Sequence, residues 1–268
     1  MTERDFFIGK TAWITGGSSG IGEALAIRLA QKGAIVIISS FDIPELNRVA
    51  KKIKGFGGNV STLSFDLSDQ NEVENAANEI LGKYKKIDLL FNNGGVSQRT
   101  TVLETPLTVD RKLMEINYFS GVILTKKLLP SMIENGSGHI IATSSISGLF
   151  GFPLRSAYAA SKHSLHGFYE SVWTELYNKG IKTTIICPGR VRTNISLHAL
   201  GKDGKPHGKM DPGQSGGIPP EVCAKKILKA VMKNRRQVLI GGKELILARL
   251  KRFFPFLFYK LVIKIKPT

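Results

Sequence analysis

The chain has 268 residues, of which 42% are hydrophobic and 22% charged, a composition typical of globular proteins that excludes disorder throughout. Its 38 Lys and Arg against 21 Asp and Glu give a net charge of +17, so we expect its surface to attract anions: nucleotide phosphates, nucleic acid or anionic lipid. A chain of this length can bury one large core, and we expect a single domain.

Short apolar runs alternate along the chain with helical patterns. The runs are, in order, TAWIT, AIVIIS, VSTLSF, IDLLFNN, GHIIATSS, IKTTIICPG and QVLIGG. The helical patterns between them include IGEALAIRLAQKG, PELNRVAKKIKG, NEVENAANEILGKY and the long RKLMEINYFSGVILTKKLLPSMI. Strands that are apolar throughout are typical of a parallel sheet covered by helices on both faces. We therefore predict an α/β fold for residues 1–242, a Rossmann-type, doubly wound parallel sheet of about seven strands.

A glycine-rich turn, TGGSSGIG, follows the first strand and opens a helix. Ligands of doubly wound sheets bind at the carboxyl ends of the strands, and a helix N-terminus offers free N–H groups to a phosphate. The spacing GxxxGxG departs from the commoner GxGxxG, but its position between strand and helix predicts a dinucleotide site. The candidate cofactor-binding residues here are Gly16, Ser18, Ser19, Gly20, Ile21 and Gly22.

Two further strand ends carry polar or small residues. The third run is followed by Asp66 and Leu67, suited to hold an adenine, and the fourth by Asn93, Gly94 and Gly95, where a cofactor can lie close to the backbone. Asn, Asp and Gly are also the usual turn residues, so a plain turn is the alternative at both places.

Tyr158 and Lys162, in the stretch SAYAASKHS, are four residues apart and share one face of the helix that this stretch begins. Ser145 ends the fifth run, and Asn117 lies inside the long helical pattern before it. A surface Tyr–Lys pair and a solvated Asn are the simpler interpretations of these residues. These residues alone leave both interpretations open, and the choice depends on the motifs of the whole chain.

In this order the motifs resemble those of the short-chain dehydrogenase/reductase family, from Thr11 to about Thr193. The resemblance implies that Asn117, Ser145, Tyr158 and Lys162 are catalytic and that NNGG matches the family's NNAG, with Gly94 replacing Ala. It also implies that the segment after the sixth strand lies beside the nicotinamide, through Pro188, Gly189, Val191 and Thr193. MEINYFSG, LLPSMI, RSAYAASKHS and DGKPHGKMD are similar to the membrane-associated branch with dehydrogenase/reductase 7B-like and hydroxysteroid dehydrogenase-like enzymes.

The resemblance implies an NAD(P)-dependent oxidoreductase that reduces a ketone or oxidises a secondary alcohol, with Tyr158 exchanging the proton. Lys162 would favour the phenolate and hold the nicotinamide ribose, Ser145 would bind the reacting oxygen, and Asn117 would anchor a water relay. The family forms dimers and tetramers through its long helices, which implies a homodimer or homotetramer. A catalytically idle dinucleotide-binding scaffold and a nucleotide-linked epimerase or dehydratase are the alternatives.

The end of the second strand bears on the choice of cofactor. Ser40 stands where NAD users of the family carry Asp, and Phe41 where NADP users often carry Arg. Because Ser39 and Ser40 can donate to a phosphate and no carboxylate stands at position 40, we predict NADP(H). NAD(H) is the alternative, in which Asp42 turns toward the ribose.

Two regions depart from the alternation of strands and helices. Residues 194–220, here called the lid, are rich in Gly, Pro and Lys without period, as functional loops often are. Residues 243–268, here called the extension, carry seven Lys or Arg and one acid among Phe, Leu and Ile. The uncharged run 253–259 is too short to span a bilayer, so we expect the extension to lie on an anionic membrane surface. A helix packed on the body or on a second subunit is the alternative.

A membrane-bound extension implies a small apolar carbonyl or alcohol substrate, lipid-like or steroid-like. The charged N-terminus and the two cysteines, Cys187 and Cys223, predict a cytoplasmic protein, peripheral at most on a membrane. The histidines have no metal-ligand spacing, so no metal is expected. Charge alone suggests nucleic acid, but no helix-turn-helix, zinc or RNP-like pattern supports specific binding.

Overall fold

The computed structural model describes residues 2–264, and its centre is a seven-stranded parallel sheet in the order β3-β2-β1-β4-β5-β6-β7. The strands are β1 (Thr11–Thr15), β2 (Ile35–Ser39), β3 (Asn59–Leu63), β4 (Leu89–Asn92), β5 (Gly138–Thr143), β6 (Ile181–Pro188) and β7 (Gln237–Ile240). The strand order reverses between β1 and β4, which is where such sheets bind their ligands. The predicted doubly wound sheet is confirmed.

Helices cover both faces of this sheet, because alternate side chains of each strand point to opposite sides. Ala12 and Ile14 of β1 lie in one apolar core, and Trp13 between them lies in the other. The helices are α1 (Glu3–Phe7), α2 (Gly20–Gln31), α3 (Ile43–Gly55), α4 (Gln70–Lys83), α5 (Leu107–Met114), α6 (Ser120–Glu134), α7 (Ser156–Leu176), α8 (Pro212–Ser215), α9 (Pro220–Met232), α10 (Leu245–Phe253) and α11 (Pro255–Val262).

The structure departs from the predicted elements in three places. The long helix begins earlier, at Leu107, and contains a π-helical turn, Glu115–Phe119, between α5 and α6. Helix α9 was not predicted, although Cys223, Ile227 and Val231 are buried at helical spacing after a proline in the first turn. Strand β3 ends at Leu63, so Asp66 and Leu67 lie in the turn that follows it. Hydrogen bonding, which sequence patterns do not report, sets these boundaries.

The lid is largely irregular, with a 3₁₀ turn at Asn194–Ser196 and the short helix α8. Isolated β-bridges join Leu200 to Gln98 and Ile218 to Val191, at its two ends. The lid therefore crosses the carboxyl edge of the sheet and is attached to the body on both sides.

The extension folds back on the body as α10 and α11, up to residue 264, while Lys266 and the other residues after 264 lie outside the described part. The ring of Phe258 is buried edge-to-face against Phe150, with centroids 5.1 Å apart, and Lys251 Nζ donates to the carbonyl oxygen of Leu149 at 2.7 Å. The opposite face exposes apolar side chains, including Phe253 (68%) and Phe256 (74%). Within residues 2–264, no helix has both the length and the apolar character needed to cross a bilayer.

We predict that Phe258→Ala lowers the free energy of unfolding by about 3 kcal/mol, because it empties a packed site under the extension. Phe256→Ala, on the solvent side of the same helix, is the matched control and should change it by less than about 0.5 kcal/mol. Urea denaturation, with hydrogen exchange of the α10 and α11 amides, measures both. Equal effects of the two substitutions would contradict the packing of the extension on the body.

Candidate active site

A cavity of about 600 Å³ opens at the carboxyl edge of the sheet, beyond the ends of β1, β2, β4, β5 and β6. Of the predicted site residues, Gly22 and Asn117 lie outside its lining and support it from behind. The others line it: Gly16, Ser18, Ser19, Gly20, Ile21, Ser40, Asp66, Leu67, Asn93, Gly94, Gly95, Ser145, Tyr158, Lys162, Pro188, Gly189, Val191 and Thr193. Residues far apart in sequence thus meet around one cavity.

The turn between β1 and α2 has room for a ligand only because its residues are small. Gly16 and Gly20 have positive φ values of 64° and 54°, a conformation that glycine adopts without strain. A Cβ at Gly22 would lie 2.1 Å from the carbonyl oxygen of Gly16. Ser19 begins α2 without a side-chain cap, so the first N–H groups of the helix remain available to an anion. This cradle fits the pyrophosphate of a dinucleotide.

Asn93 fixes this turn to the neighbouring strand end. Its Nδ2 donates to the carbonyl oxygen of Thr15 at 3.1 Å, and its backbone N–H donates to Thr15 Oγ1 at 3.0 Å. Thr143 Oγ1, at the end of β5, donates to Asn93 Oδ1 at 3.3 Å. Asn93 therefore sets the spacing of three strand ends at the cavity.

The side chain of Asn117 lies in the π-helical turn and binds protein groups. Its Nδ2 donates to the Val96 carbonyl oxygen (3.0 Å) and to Ser161 Oγ (2.9 Å), and its Oδ1 accepts from the Val96 N–H (2.8 Å). A Cβ at Gly95 would lie 2.8 Å from Asn117 Oδ1 and 3.3 Å from Lys162 Nζ. The Asn117 side chain thus joins the loop after β4 to α7, and Gly95 leaves space for it.

Tyr158 and Lys162 are both buried, on one face of α7. Lys162 Nζ donates to the carbonyl oxygen of Thr143 at 2.8 Å and lies 5.8 Å from the centroid of the Tyr158 ring. Burial lowers the pKa of Lys162 to about 8, because the ammonium loses hydration. Burial also raises the pKa of Tyr158, whereas the hydrogen bond with Ser145 and the charge of Arg155 act in the opposite direction.

Ser145 follows β5 and starts a 3₁₀ turn, where its Oγ accepts from the N–H of Ser147 at 3.1 Å. The same Oγ lies 3.5 Å from the carbonyl oxygen of Pro188. The hydroxyl also lowers the pKa of Tyr158, so it lies between α7 and the segment after β6. A phenol, a hydroxyl and an ammonium therefore surround one end of the cavity.

At the end of β2 the polar groups bind one another. Ser40 Oγ accepts from Ser18 Oγ at 3.0 Å and from the N–H of Asp42 at 3.2 Å. The Asp42 carboxylate caps α3 by accepting from the N–H of Glu45 at 3.1 Å. Arg48 Nη2 donates to the carbonyl oxygen of Ser18 at 3.2 Å, beside this group. Asp42 is thus engaged in the helix cap.

Sequence reasoning missed four residues around the cavity. Gln98 Oε1 accepts from the N–H groups of Ala157 (2.8 Å) and Tyr158 (3.3 Å) and so caps the start of α7. Arg99, Arg155 and Asp211 form a buried charged cluster in the cavity wall. Only Arg155 could have been found from the sequence, because it stands directly before the predicted catalytic helix. Nothing in the sequence pointed to the other three residues.

Comparison with known proteins identifies the family of the chain. Residues 10–201 match the family model described as short chain dehydrogenase. Dehydrogenase/reductase SDR family protein 7-like of Drosophila melanogaster is 37% identical over 96% of this chain and 80% of its own length. Dehydrogenase/reductase SDR family member 7B of Danio rerio is 40% identical over 87% of this chain and 77% of its own.

Solved structures with a similar fold include short-chain dehydrogenases or reductases that were determined with a nicotinamide dinucleotide bound. A short-chain dehydrogenase/reductase from Burkholderia phymatum in complex with NAD has a TM-score of 0.83 at 25% identity, covering 100% of this chain and 98% of its own. A metagenomic short-chain oxidoreductase in complex with NADP has a TM-score of 0.73 at 26% identity, covering 87% and 98%. The glycine cradle of the present cavity is consistent with either dinucleotide. The chain belongs to the short-chain dehydrogenase/reductase family.

Proposed function

We propose that the protein reduces a ketone, or oxidises the corresponding secondary alcohol, with a nicotinamide dinucleotide and with Tyr158 as proton donor or acceptor. The observation that carries this proposal is the burial of Tyr158, Lys162 and Ser145 around one end of the cavity whose other end is the glycine cradle. Burying polar groups costs free energy, and a scaffold that only bound the dinucleotide would have no need of the phenol and the hydroxyl beside Lys162.

Each residue of the site has a separate role in the proposed hydride and proton transfer. The dinucleotide, when bound, supplies or accepts the hydride; the glycine cradle, Asp66 and Lys162 would hold it. Tyr158 donates its proton to the substrate oxygen in reduction and takes it back in oxidation. The Lys162 ammonium stabilises the phenolate by its charge, and Ser145 donates a hydrogen bond to the same substrate oxygen. Asn117 would support the relay that returns protons from water.

We expect Tyr158→Phe to lower kcat by about 10²–10⁴-fold, because the proton donor is lost while the ring remains. Binding of the dinucleotide, followed by fluorescence titration, should stay within about twofold. Tyr177→Phe, an exposed tyrosine on the turn after α7, serves as the control and should leave kcat unchanged. Near-full activity of Tyr158→Phe would refute the assignment, and an epimerase or dehydratase would reveal itself by turnover without net oxidation of the cofactor.

NADP(H) is the proposed cofactor. Its support is the cluster of hydroxyl donors at the end of β2, Ser18 and Ser40, with the Asp42 carboxylate turned into the α3 cap. A carboxylate that accepted from a ribose 2′-hydroxyl would repel a 2′-phosphate, and position 40 holds a serine rather than a carboxylate.

Ser40→Asp should therefore weaken NADPH binding by at least about tenfold relative to NADH, because it places a carboxylate beside the 2′-phosphate. Ser61→Asp, on β3 away from the cavity lining, is the control for an added charge. Isothermal titration of both cofactors measures the ratio. A parent protein that prefers NADH would contradict the proposal directly.

The substrate is proposed to be apolar, lipid-like or steroid-like. Apolar side chains line the wall beside Tyr158, among them Val96, Ile116, Ile146, Phe152 and Leu200. The lid contributes Leu200, which is buried in a small apolar cluster with Tyr158. Such a wall favours a substrate whose carbonyl lies on an apolar skeleton.

The extension is proposed to bind the surface of an anionic membrane, in a reducing compartment such as the cytoplasm. Its support is the outer face of α10 and α11, which combines exposed aromatic rings with Lys and Arg. The inner face packs against Phe150 and Phe152, and Phe152 lines the cavity. An apolar substrate dissolved in the bilayer would then have a short path to the site.

Vesicles of neutral lipid with about one third anionic lipid should bind the protein, and added salt should weaken binding because it screens the basic residues. The double change Phe253→Ala and Phe256→Ala should weaken binding by at least about tenfold, since two exposed rings no longer enter the interface. Phe56→Ala, an exposed ring at the end of α3, is the matched control. Unchanged sedimentation of the double variant would contradict a membrane role for the extension.

A homodimer or homotetramer is also proposed, through α6 and α7. Its support is the half-exposed ring of Phe119, which precedes α6 and packs edge-to-face on Tyr118 with centroids 5.0 Å apart. Light scattering would determine the assembly.

A further inference from the structure

Three charged side chains from distant parts of the sequence meet in the wall of the cavity. Arg99 follows β4, Arg155 is the residue before α7, and Asp211 belongs to the lid. Arg99 Nε donates to Asp211 Oδ1 at 3.1 Å, its Nη2 donates to the same oxygen, and Arg155 Nη2 donates to Asp211 Oδ2 at 2.7 Å. We call these three residues the clasp.

The clasp is largely buried, so water competes only weakly for its hydrogen bonds. The side chains of Arg99 and Asp211 are 6% and 7% exposed, and that of Arg155 is 19% exposed. One carboxylate thus balances two guanidinium groups, and burial together with the charge of Arg99 lowers the pKa of Arg155. Removing one partner of a buried ion pair is strongly destabilising, because the other charge is left without compensation. The single carboxylate is therefore the critical member.

Each end of the clasp adjoins a part of the active site. Arg155 immediately precedes α7, whose first turn carries Tyr158. Asp211 immediately precedes α8, where Gln214 Nε2 donates to the Val191 carbonyl oxygen and, at 3.3 Å, to Thr193 Oγ1. The clasp therefore connects the catalytic helix with the part of the lid that covers the segment proposed to adjoin the nicotinamide.

The rest of the lid between residues 197 and 210 has a different character. It turns Leu200 inward, while its lysines and most of its other side chains are exposed. Lys202 and Lys209 lie on that exposed side. The whole lid is attached to the body by the bridges of Leu200 and Ile218, by the Gln214 side chain and by the clasp, and of these only the clasp depends on side-chain charge.

We propose that the clasp latches the lid closed over the cavity, and that Arg99, Asp211 and Arg155 are positioning residues which hold the lid against the start of α7. Its consequence for catalysis rests on the function proposed above, whereas closure of the lid does not. With the carboxylate removed, two buried guanidinium groups repel each other, the lid leaves the cavity, and Tyr158 loses its apolar cover.

The test is limited trypsin digestion of the full chain without substrate, with cleavage after Lys202 and Lys209 followed by mass spectrometry. Asp211→Asn keeps the shape of the side chain and removes its charge, and should accelerate cleavage of the lid by at least about tenfold. The matched control is Asp203→Asn, the same change at an exposed lid residue that binds only a local backbone N–H, and it should match the parent. If the lid of the Asp211→Asn variant were cleaved as slowly as the lid of the Asp203→Asn variant, the latch would be overturned.

A second variant covers the case in which Asp211→Asn does not fold. Arg99→Lys keeps the charge but loses the paired contact of the guanidinium, and should accelerate lid cleavage by a smaller factor of about threefold. Cleavage spread evenly over the chain in both variants would overturn the latch in favour of a role in global stability.

Kinetics separate the latch from the proposed function. In ketone reduction, Asp211→Asn should raise KM at least about tenfold with a smaller change in kcat, and NADPH binding should stay within about threefold. An unchanged KM in a variant with an open lid would overturn the positioning role. If the parent protein reduces no ketone but the lid of the Asp211→Asn variant opens, the proposed ketone reduction is refuted and the proposed latch is supported.

Discussion

The hydrogen bonds of one short segment, residues 93–99, hold the cavity together. Asn93 fixes the glycine turn, Val96 binds Asn117 in the π-helical turn, Gln98 caps α7, and Arg99 reaches the lid. A buried polar group needs a hydrogen-bond partner in the protein. The polar groups of this loop therefore have their partners only when the glycine turn, the π-helical turn, α7 and the lid are in place. The glycine cradle, α7 and the lid are therefore assembled around the same seven residues.

The second constraint is electrostatic. The wall of the cavity contains the buried cations Lys162 and Arg99 and the partly buried Arg155, against the buried carboxylate of Asp211. Inside a protein such charges are weakly screened, so each needs a close partner: Lys162 finds a backbone carbonyl oxygen, and both arginines find Asp211. The excess of positive charge also suits a cavity that receives an anionic dinucleotide.

The extension packs on the body with one face and leaves the other face exposed. Phe258 and Ala248 pack on the loop after β5, as expected of a helix that belongs to the body. Phe253 and Phe256 remain exposed among basic residues, as expected of a surface that meets lipid. Because helical side chains point in all directions around the axis, two short helices can pack on the body and still expose an apolar and basic face.

The sequence by itself determined the parallel sheet, the glycine cradle and the positions of Ser145, Tyr158 and Lys162. These follow from local patterns: apolar strands, a turn that only small residues permit, and the spacing of a helix face. Tertiary structure alone decided the partner of each polar group. Arg99 and Asp211 are 112 positions apart and Gln98 and Ala157 are 59 apart, so no local pattern joins them. It also decided which side of the extension is buried, since its aromatic residues occur on every side and only the neighbouring loop selects Phe258. Local preference specifies elements and motif residues, whereas the pairing of buried charges and the choice of a buried face depend on which distant surfaces the fold brings together.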